Sequence, residues 1–248
     1  MTPPILKVEN LRIAFGGVAA ADGVELEIAA GEFMAIIGPN GAGKTTFLNL
    51  CTGYVKPATG SVLFEGRDIT GLSPRAITRR GIARAFQIPQ LFAGHSLLEN
   101  VMLALAARHG IRQVLAPLDR EAYRVEGRAL LELVGLETAA GQPVSELPEG
   151  MRKLADIALA LALKPRLLLM DEPTSGVSAQ EKYALMGTLM QVLKTEGITA
   201  LFVEHDMEIV RTYAGRVLVW DSGKVLASGA PEAVLADERV IRSVVGAV

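Results

Sequence analysis

Three stretches carry side chains whose types and spacing suit phosphate chemistry. Gly38 to Thr45 reads "GPNGAGKT" and fits G-x-x-x-x-G-K-[ST] between an apolar strand and a helix. Glycines at 38, 41 and 43 let a backbone wrap a phosphate with its amides pointing inward, while Lys44 adds a point charge and the Thr45 hydroxyl can ligate magnesium. A chance glycine turn is the alternative. Asp171 and Glu172 follow an apolar run in "LLLMDEP". Ligands bind at the carboxyl ends of strands in open α/β sheets, so both carboxylates should face the loop. Asp171 is expected to hold magnesium, directly or through water, and Glu172 to polarise an attacking water; the alternative is a charged loop after a core strand. His205 ends another strand pattern, "ALFVEHDM", where an imidazole could contact a terminal phosphate and report its presence. A structural histidine is the alternative there, and His95 and His109 have no comparable setting.

These residues need a scaffold, and the chain alternates strand and helix patterns. "LKVENLRIAF" and "VELEI" alternate apolar and polar residues as half-buried strands do, and "FMAII" suits a buried strand. A helix follows the loop through "FLNLCT", short strands follow in "GSVLFEGRDI", and Pro74 suits a first helical turn. Residues 97–161 read as mostly helical, with Gly110 and Gly135 as helix stops. Strand patterns return in "RLLLMDEP", "TALFVEHD" and "RVLVWDSGKVLASG", separated by a helix from Glu181 to Lys194. The expected architecture is an α/β sheet core interrupted by a helical insertion.

Composition sets bounds. The chain has 248 residues, 50% hydrophobic and 21% charged, which suffices for a full core. With 25 basic and 27 acidic side chains the net charge is -2, so bulk electrostatics give no case for nucleic acid. Cys51 is the only cysteine, which excludes an internal disulfide and reads as a small core hydrophobe. The N-terminus has neither a basic region nor an apolar run, and no apolar stretch approaches the ~20 residues that span a bilayer.

Together these residues resemble the ATP-binding subunits of ABC transporters over essentially the whole chain. "GPNGAGKTT" looks like their Walker A motif, "LLLMDE" like Walker B and "FVEHDM" like the switch-histidine segment. The resemblance implies a P-loop NTPase α/β core with an N-terminal antiparallel β region and an inserted helical subdomain. Residues 1–86 and 164–248 would form the nucleotide-binding core, 87–163 the helical subdomain, and 1–248 one domain. ATP and Mg2+ are the implied ligands. Gly38, Asn40, Gly41, Gly43, Lys44, Thr45 and Thr46 would hold the nucleotide, with Thr45, Gln87 and Asp171 around the metal. Gln87 in "RAFQIPQLF" falls at the Q-loop glutamine, which senses magnesium, attacking water and the membrane partner. Phe15 in "AFGG" falls where the family stacks an aromatic on adenine; plain strand core is the alternative. "FGG", "RAFQIPQLF", "LLENVMLA" and "FVEHDM" are similar to the branched-chain amino acid uptake subfamily, although related urea, amide and lipopolysaccharide systems share much of this.

One region departs. "LPEGM" precedes a helix-forming run where the family carries leucine, serine, glycine, glycine, glutamine, a segment that reaches across a dimer to the γ-phosphate held by the other subunit. Pro148 supplies neither hydroxyl nor amide hydrogen, and Glu149 could cap its own helix while repelling phosphate. The amides of Gly150 and Met151 remain available, so the expected site is weakened and not lost. Arg152 and Lys153 sit in the first turn, where cations oppose the helix dipole; either a neighbouring anion holds them or both are solvated. Ser178 stands where many relatives have an interface aspartate.

The implied function is an ATP-hydrolysing motor of a membrane importer on the cytoplasmic face of the inner or plasma membrane. Its implied partners are permease subunits, a second ATPase subunit, an extracytoplasmic solute-binding protein acting indirectly, and no nucleic acid. A different second ATPase is favoured because a homodimer would place "LPEGM" in both sites. The segment from Ile88 to Ala106 would dock the permease, or else be internal core. The alternatives are a soluble ABC ATPase of DNA repair or translation, whose tandem cassettes or coiled-coil insertion are not seen here, an exporter ATPase, and a P-loop GTPase or kinase, for which no guanine motif is found.

Overall fold

The computed structural model describes residues 3–109 and 120–245. Two sheets share one buried layer. In the first, β1 (Leu6–Phe15), β2 (Val18–Ile28), β4 (Thr59–Phe64) and β5 (Arg67–Asp68) lie antiparallel in the order β2-β1-β4-β5. The second runs β10-β9-β3-β8-β7-β6 and contains β3 (Phe33–Ile37), β6 (Ile82–Ala85), β7 (Leu167–Asp171), β8 (Thr199–Val203), β9 (Arg216–Asp221) and β10 (Lys224–Gly229). Its strands pair in parallel except β10 with β9. The central strands β7 and β8 are buried at every residue, which is why they read as unbroken apolar runs.

Period-two alternation along β3 divides the core. Met34 and Ile36 face the antiparallel sheet and pack with Leu6, Leu11, Phe47 and Trp220. Ala35 and Ile37 face the opposite side, where helices cover the sheet. That helical layer contains α3 (Leu97–His109), α4 (Glu121–Leu133) and α5 (Glu149–Ala162), packed on one another, and α6 (Ala179–Thr195) beside α5. The remaining helices are α1 (Lys44–Cys51), α2 (Pro74–Thr78), α7 (Met207–Tyr213), α8 (Pro231–Leu235) and α9 (Glu238–Val245).

The α/β architecture agrees with the expectation from sequence, including the strand patterns and the helix start at Pro74, which Ser73 caps. Gly135 follows the end of α4 with φ 74°, a left-handed stop. The expected stop at Gly110 lies outside the described residues. Strand β6 and helices α7 to α9 had no counterpart in the sequence reading. Cys51 is buried, and burial pushes its thiol up to about 12, as suits an inert core residue. No helix among the described residues is long and apolar enough to cross a membrane.

Candidate functional site

The glycine loop runs from the end of β3 into α1 and is bracketed from outside. Gly38 has φ 153°, and a Cβ there would lie 1.9 Å from the Trp220 carbonyl oxygen. Gly43 has φ 109°, and its Cβ would lie 2.2 Å from the Ala20 carbonyl oxygen. Only glycine fits at either position. Trp220 is fully buried, tilts against Phe47 with ring centroids 4.8 Å apart, and donates its indole N–H to the Ala42 carbonyl at 2.9 Å. Its role as the bracket of the loop was invisible in "RVLVWD", where it reads as one more strand apolar. Lys44 folds inward and donates to the Gly38 and Pro39 carbonyls at 2.7 and 2.9 Å. Burial pulls its ammonium below the usual lysine range, opposed by the charges of Glu172 and Asp171.

A cavity of about 290 Å³ opens at this loop. Asn40, Gly41 and Gly43 to Thr46 line it on one side, with Phe15, Glu172 and His205 around the remainder. Phe15 is 52% exposed, so the strand-core alternative for it is excluded. An exposed ring beside a phosphate-sized loop can stack on a planar base.

The carboxylates meet at the end of β7. Asp171 accepts from the Thr45 hydroxyl at 3.4 Å, and its other oxygen pairs with Arg84 of β6 at 2.8 Å, both side chains being buried. Arg84 also donates to the Asn49 side chain at 2.5 Å, while its Nε has no hydrogen-bond partner among the described residues. A hydroxyl and a carboxylate oxygen this close are hard donors of the kind magnesium takes when phosphates complete its shell, so Thr45 and Asp171 fit such an ion. Glu172 has φ 50°, a left-handed conformation that costs a non-glycine residue ~1–2 kcal/mol. Its two carboxylate oxygens are both engaged: the Gln87 amide donates to Oε2 at 2.7 Å, and His205 Nε2 lies 3.0 Å from Oε1. Gln87, Glu172 and His205 thus converge, although they are far apart in sequence. Behind His205, buried Glu204 accepts from the Thr174 amide and hydroxyl at 3.0 and 2.7 Å and from the His205 amide at 3.2 Å.

The "LPEGM" segment begins α5 and does not line this cavity. Pro148 is the N-cap without a side-chain bond, so Glu149 does not cap the helix; its carboxylate instead pairs with Arg152 at 2.8 Å. The first helical bond runs from the Arg152 amide to the Pro148 carbonyl at 3.0 Å, so the amides of Gly150 and Met151 precede the helical ladder. Arg152 is therefore held by a neighbouring anion, one of the two readings of its sequence. Lys153 follows neither: it is 3% exposed and donates to the main-chain carbonyls of Gln87 and, at 3.3 Å, Glu172. Ser178 caps α6 in a reciprocal box with Glu181, a local role for that hydroxyl. The stretch from Ile88 to Ala106 divides: Ile88 and Phe92 are exposed, whereas Leu97, Val101, Met102 and Leu105 are core.

The ABC transporter family pattern matches residues 21–175. The high-affinity branched-chain amino acid transport ATP-binding protein BraF of Pseudomonas aeruginosa is 34% identical over 99% of both chains. LivG of Escherichia coli, of the same description, is 33% identical over 99% of both. Among solved structures, the ADP conformation of an ATP-binding cassette of an ABC transporter superposes with TM-score 0.89 at 33% identity, covering 99% of this chain and 100% of the other. A dimeric cassette in a post-hydrolysis state, bound to ADP and Pi, superposes with TM-score 0.78 at 28% identity over 91% of this chain and 98% of its own. Sequence likeness over the full length and a shared fold lead to one conclusion: the chain belongs to the ATP-binding cassettes of the ABC transporter family.

Proposed function

We propose that this chain is the ATP-hydrolysing subunit of a membrane importer for branched-chain amino acids or a similar small polar or amide solute. The observation that carries the chemistry is the Glu172 carboxylate beside the phosphate loop, met by Gln87 and His205. The loop amides and Lys44 hold the phosphates, and Phe15 stacks on the adenine. Thr45, Asp171 and Gln87 would hold magnesium, which would supply charge neutralisation to the phosphates. Glu172 takes a proton from the attacking water as the bond to the ADP oxygen breaks. Each Glu172 oxygen keeps a second lone pair beside its bond to Gln87 or His205, and one of these accepts from the attacking water.

Residues 87–163 act as the helical subdomain and 1–86 with 164–248 as the core, with Ile88 and Phe92 offered to permease subunits. In this reading, Gly150 and Met151 present their amides to the γ-phosphate held by a second ATPase subunit, which differs from this chain and carries a complete signature. Membrane attachment on the cytoplasmic side then comes from the permease, and the extracytoplasmic solute-binding protein acts through it.

The test is Glu172→Gln in the complex purified from membranes. Turnover should fall by ~10²-fold or more while ATP still binds, whereas Lys44→Ala should weaken ATP binding itself. Undiminished turnover in Glu172→Gln overturns the assignment. Native mass spectrometry showing two copies of this chain and no second ATPase overturns the heterodimer.

A further inference from the structure

Lys153 is the least expected side chain near the site. It is buried, and among the described residues no carboxylate lies within ion-pair distance of its ammonium. Burial pulls it below the usual lysine range, opposed by Glu149, Asp156, Glu172 and Glu204 at longer reach. An ammonium taken out of water without a direct ionic partner is a costly placement, and a neutral side chain of similar length would fill the space without that cost. Its acceptors explain the choice, for they are the main-chain carbonyls of Gln87 and Glu172, the two residues whose side chains also meet at 2.7 Å.

One turn further along α5, Asp156 completes the tie. Its two carboxylate oxygens accept from the Phe86 amide at 2.9 Å and the Gln90 amide at 3.1 Å, so the same helix holds both flanks of Gln87. Helix, glutamine loop and carboxylate therefore form a closed ring of hydrogen bonds. Gly150 and Met151 lie in the first turn of α5, directly before Lys153 and within ~5 Å of it along the axis. Packed helices move as rigid bodies, so a displacement at those amides reaches both carbonyls together.

We propose that Lys153 is a positioning residue for hydrolysis: its ammonium clamps the main chains of Gln87 and Glu172 together and joins the helix turn facing the opposite nucleotide to the carboxylate that activates water here. This rests on the roles proposed above for Glu172 and Gln87. Among the described residues Lys153 makes no hydrogen bond to the phosphate loop and does not line its cavity, so the clamp acts on the chemical step and leaves ATP binding alone.

The experiment measures steady-state ATP hydrolysis by the membrane-purified complex carrying Lys153→Met, Lys153→Gln or Lys153→Arg. Both neutral variants should lose ~10-fold or more in kcat, since small misplacements at a reacting centre cost that much, with KM for ATP within about twofold. Lys153→Arg, which keeps the charge, should recover most of the loss. In a Gln87→Ala background, Lys153→Met should cost less than about twofold, because the side-chain amide that the clamp aims at the Glu172 carboxylate is then already gone. The inference is overturned if neutral variants turn over at the parent rate, if their loss multiplies undiminished onto Gln87→Ala, or if Lys153→Arg recovers nothing. It is equally overturned if no neutral variant assembles while Lys153→Arg does, since the cation is then structural. Glu172→Gln in the same complex separates the two claims: full activity there defeats the underlying reading, and loss there with intact Lys153 variants defeats only the clamp.

Discussion

The phosphate loop and the "LPEGM" turn are both glycine-containing segments at helix N-termini, and the fold treats them oppositely. At Gly38 and Gly43 an added Cβ would strike backbone carbonyls at 1.9 and 2.2 Å. At Gly150 it would meet only Val177 Cγ1, at an ordinary 3.7 Å. Glycine at 38 and 43 is thus enforced by the chain itself, because the Trp220 and Ala20 carbonyls leave no room for a side chain. Among the described residues nothing enforces glycine at position 150. Leu147 and Met151 pack on the helical core, whereas Pro148 makes no side-chain bond and Glu149 pairs only with Arg152, so those two positions can differ from the family residues without disturbing the fold.

Gly38→Ala should break the enforced side of the contrast most severely. The methyl group meets main chain that cannot swing away, so ~3 kcal/mol or more of stability and nearly all ATP binding should be lost, as read by thermal melting and nucleotide titration. A next-largest effect belongs to Asp156, which burial raises from 3.8 to about 6 against its amide bonds to Phe86 and Gln90 and the nearby charge of Lys153. A raised carboxyl stabilises the fold while protonated, and that stabilisation, ~3 kcal/mol, is lost as pH rises through about 6. The stability of the parent relative to Asp156→Asn should therefore decline from pH 4 to about 6 and stay level above 7. A flat difference across that range would show that Asp156 is not held in this environment.

On the unenforced side, Pro148→Ser with Glu149→Gly should restore a hydroxyl and an amide and remove a carboxylate. One hydrogen bond to a charged group is worth ~1.5–3 kcal/mol, so affinity for a non-hydrolysable ATP analogue at the second subunit's site, and dimer closure with it, should tighten by roughly tenfold or more. Since Arg152 already pairs with Glu149, most of the gain comes from serine. Unchanged affinity and closure would mean that the two residues only start the helix. Gly150→Ala should have the smallest effect, within ~1 kcal/mol in melting experiments, because its Cβ finds ordinary room. A large loss there would erase the comparison.

What could be read from the sequence follows the same division. The loop, "LLLMDE" and "FVEHDM" were legible because strand, turn and functional group are consecutive, and the structure brings them together around one cavity. Strand β6 was not: "IARA" is four residues long, carries Arg84 where alternation would need an apolar side chain, and is defined only by pairing with β7. Arg84 itself was missed because its partner Asp171 lies 87 positions away. Lys153 carried a readable oddity, a cation in a first helical turn, but two carbonyls from separate loops hold it, and spacing cannot show that. For α7 a signal was present and unused, since Asp206 caps it directly after His205.

The left-handed backbone at Glu172 has a consequence for how this chain responds to selection. Glycine occupies φ 50° freely, so at this position it is the most comfortable occupant and, given the role proposed for Glu172, an inactive one. Screening a mutant library for heat resistance alone should enrich glycine at 172, producing a hardier and silent ATPase. Demanding growth on transported solute at the same time should hold glutamate in place, and with it a permanent ceiling on how thermostable the working protein becomes.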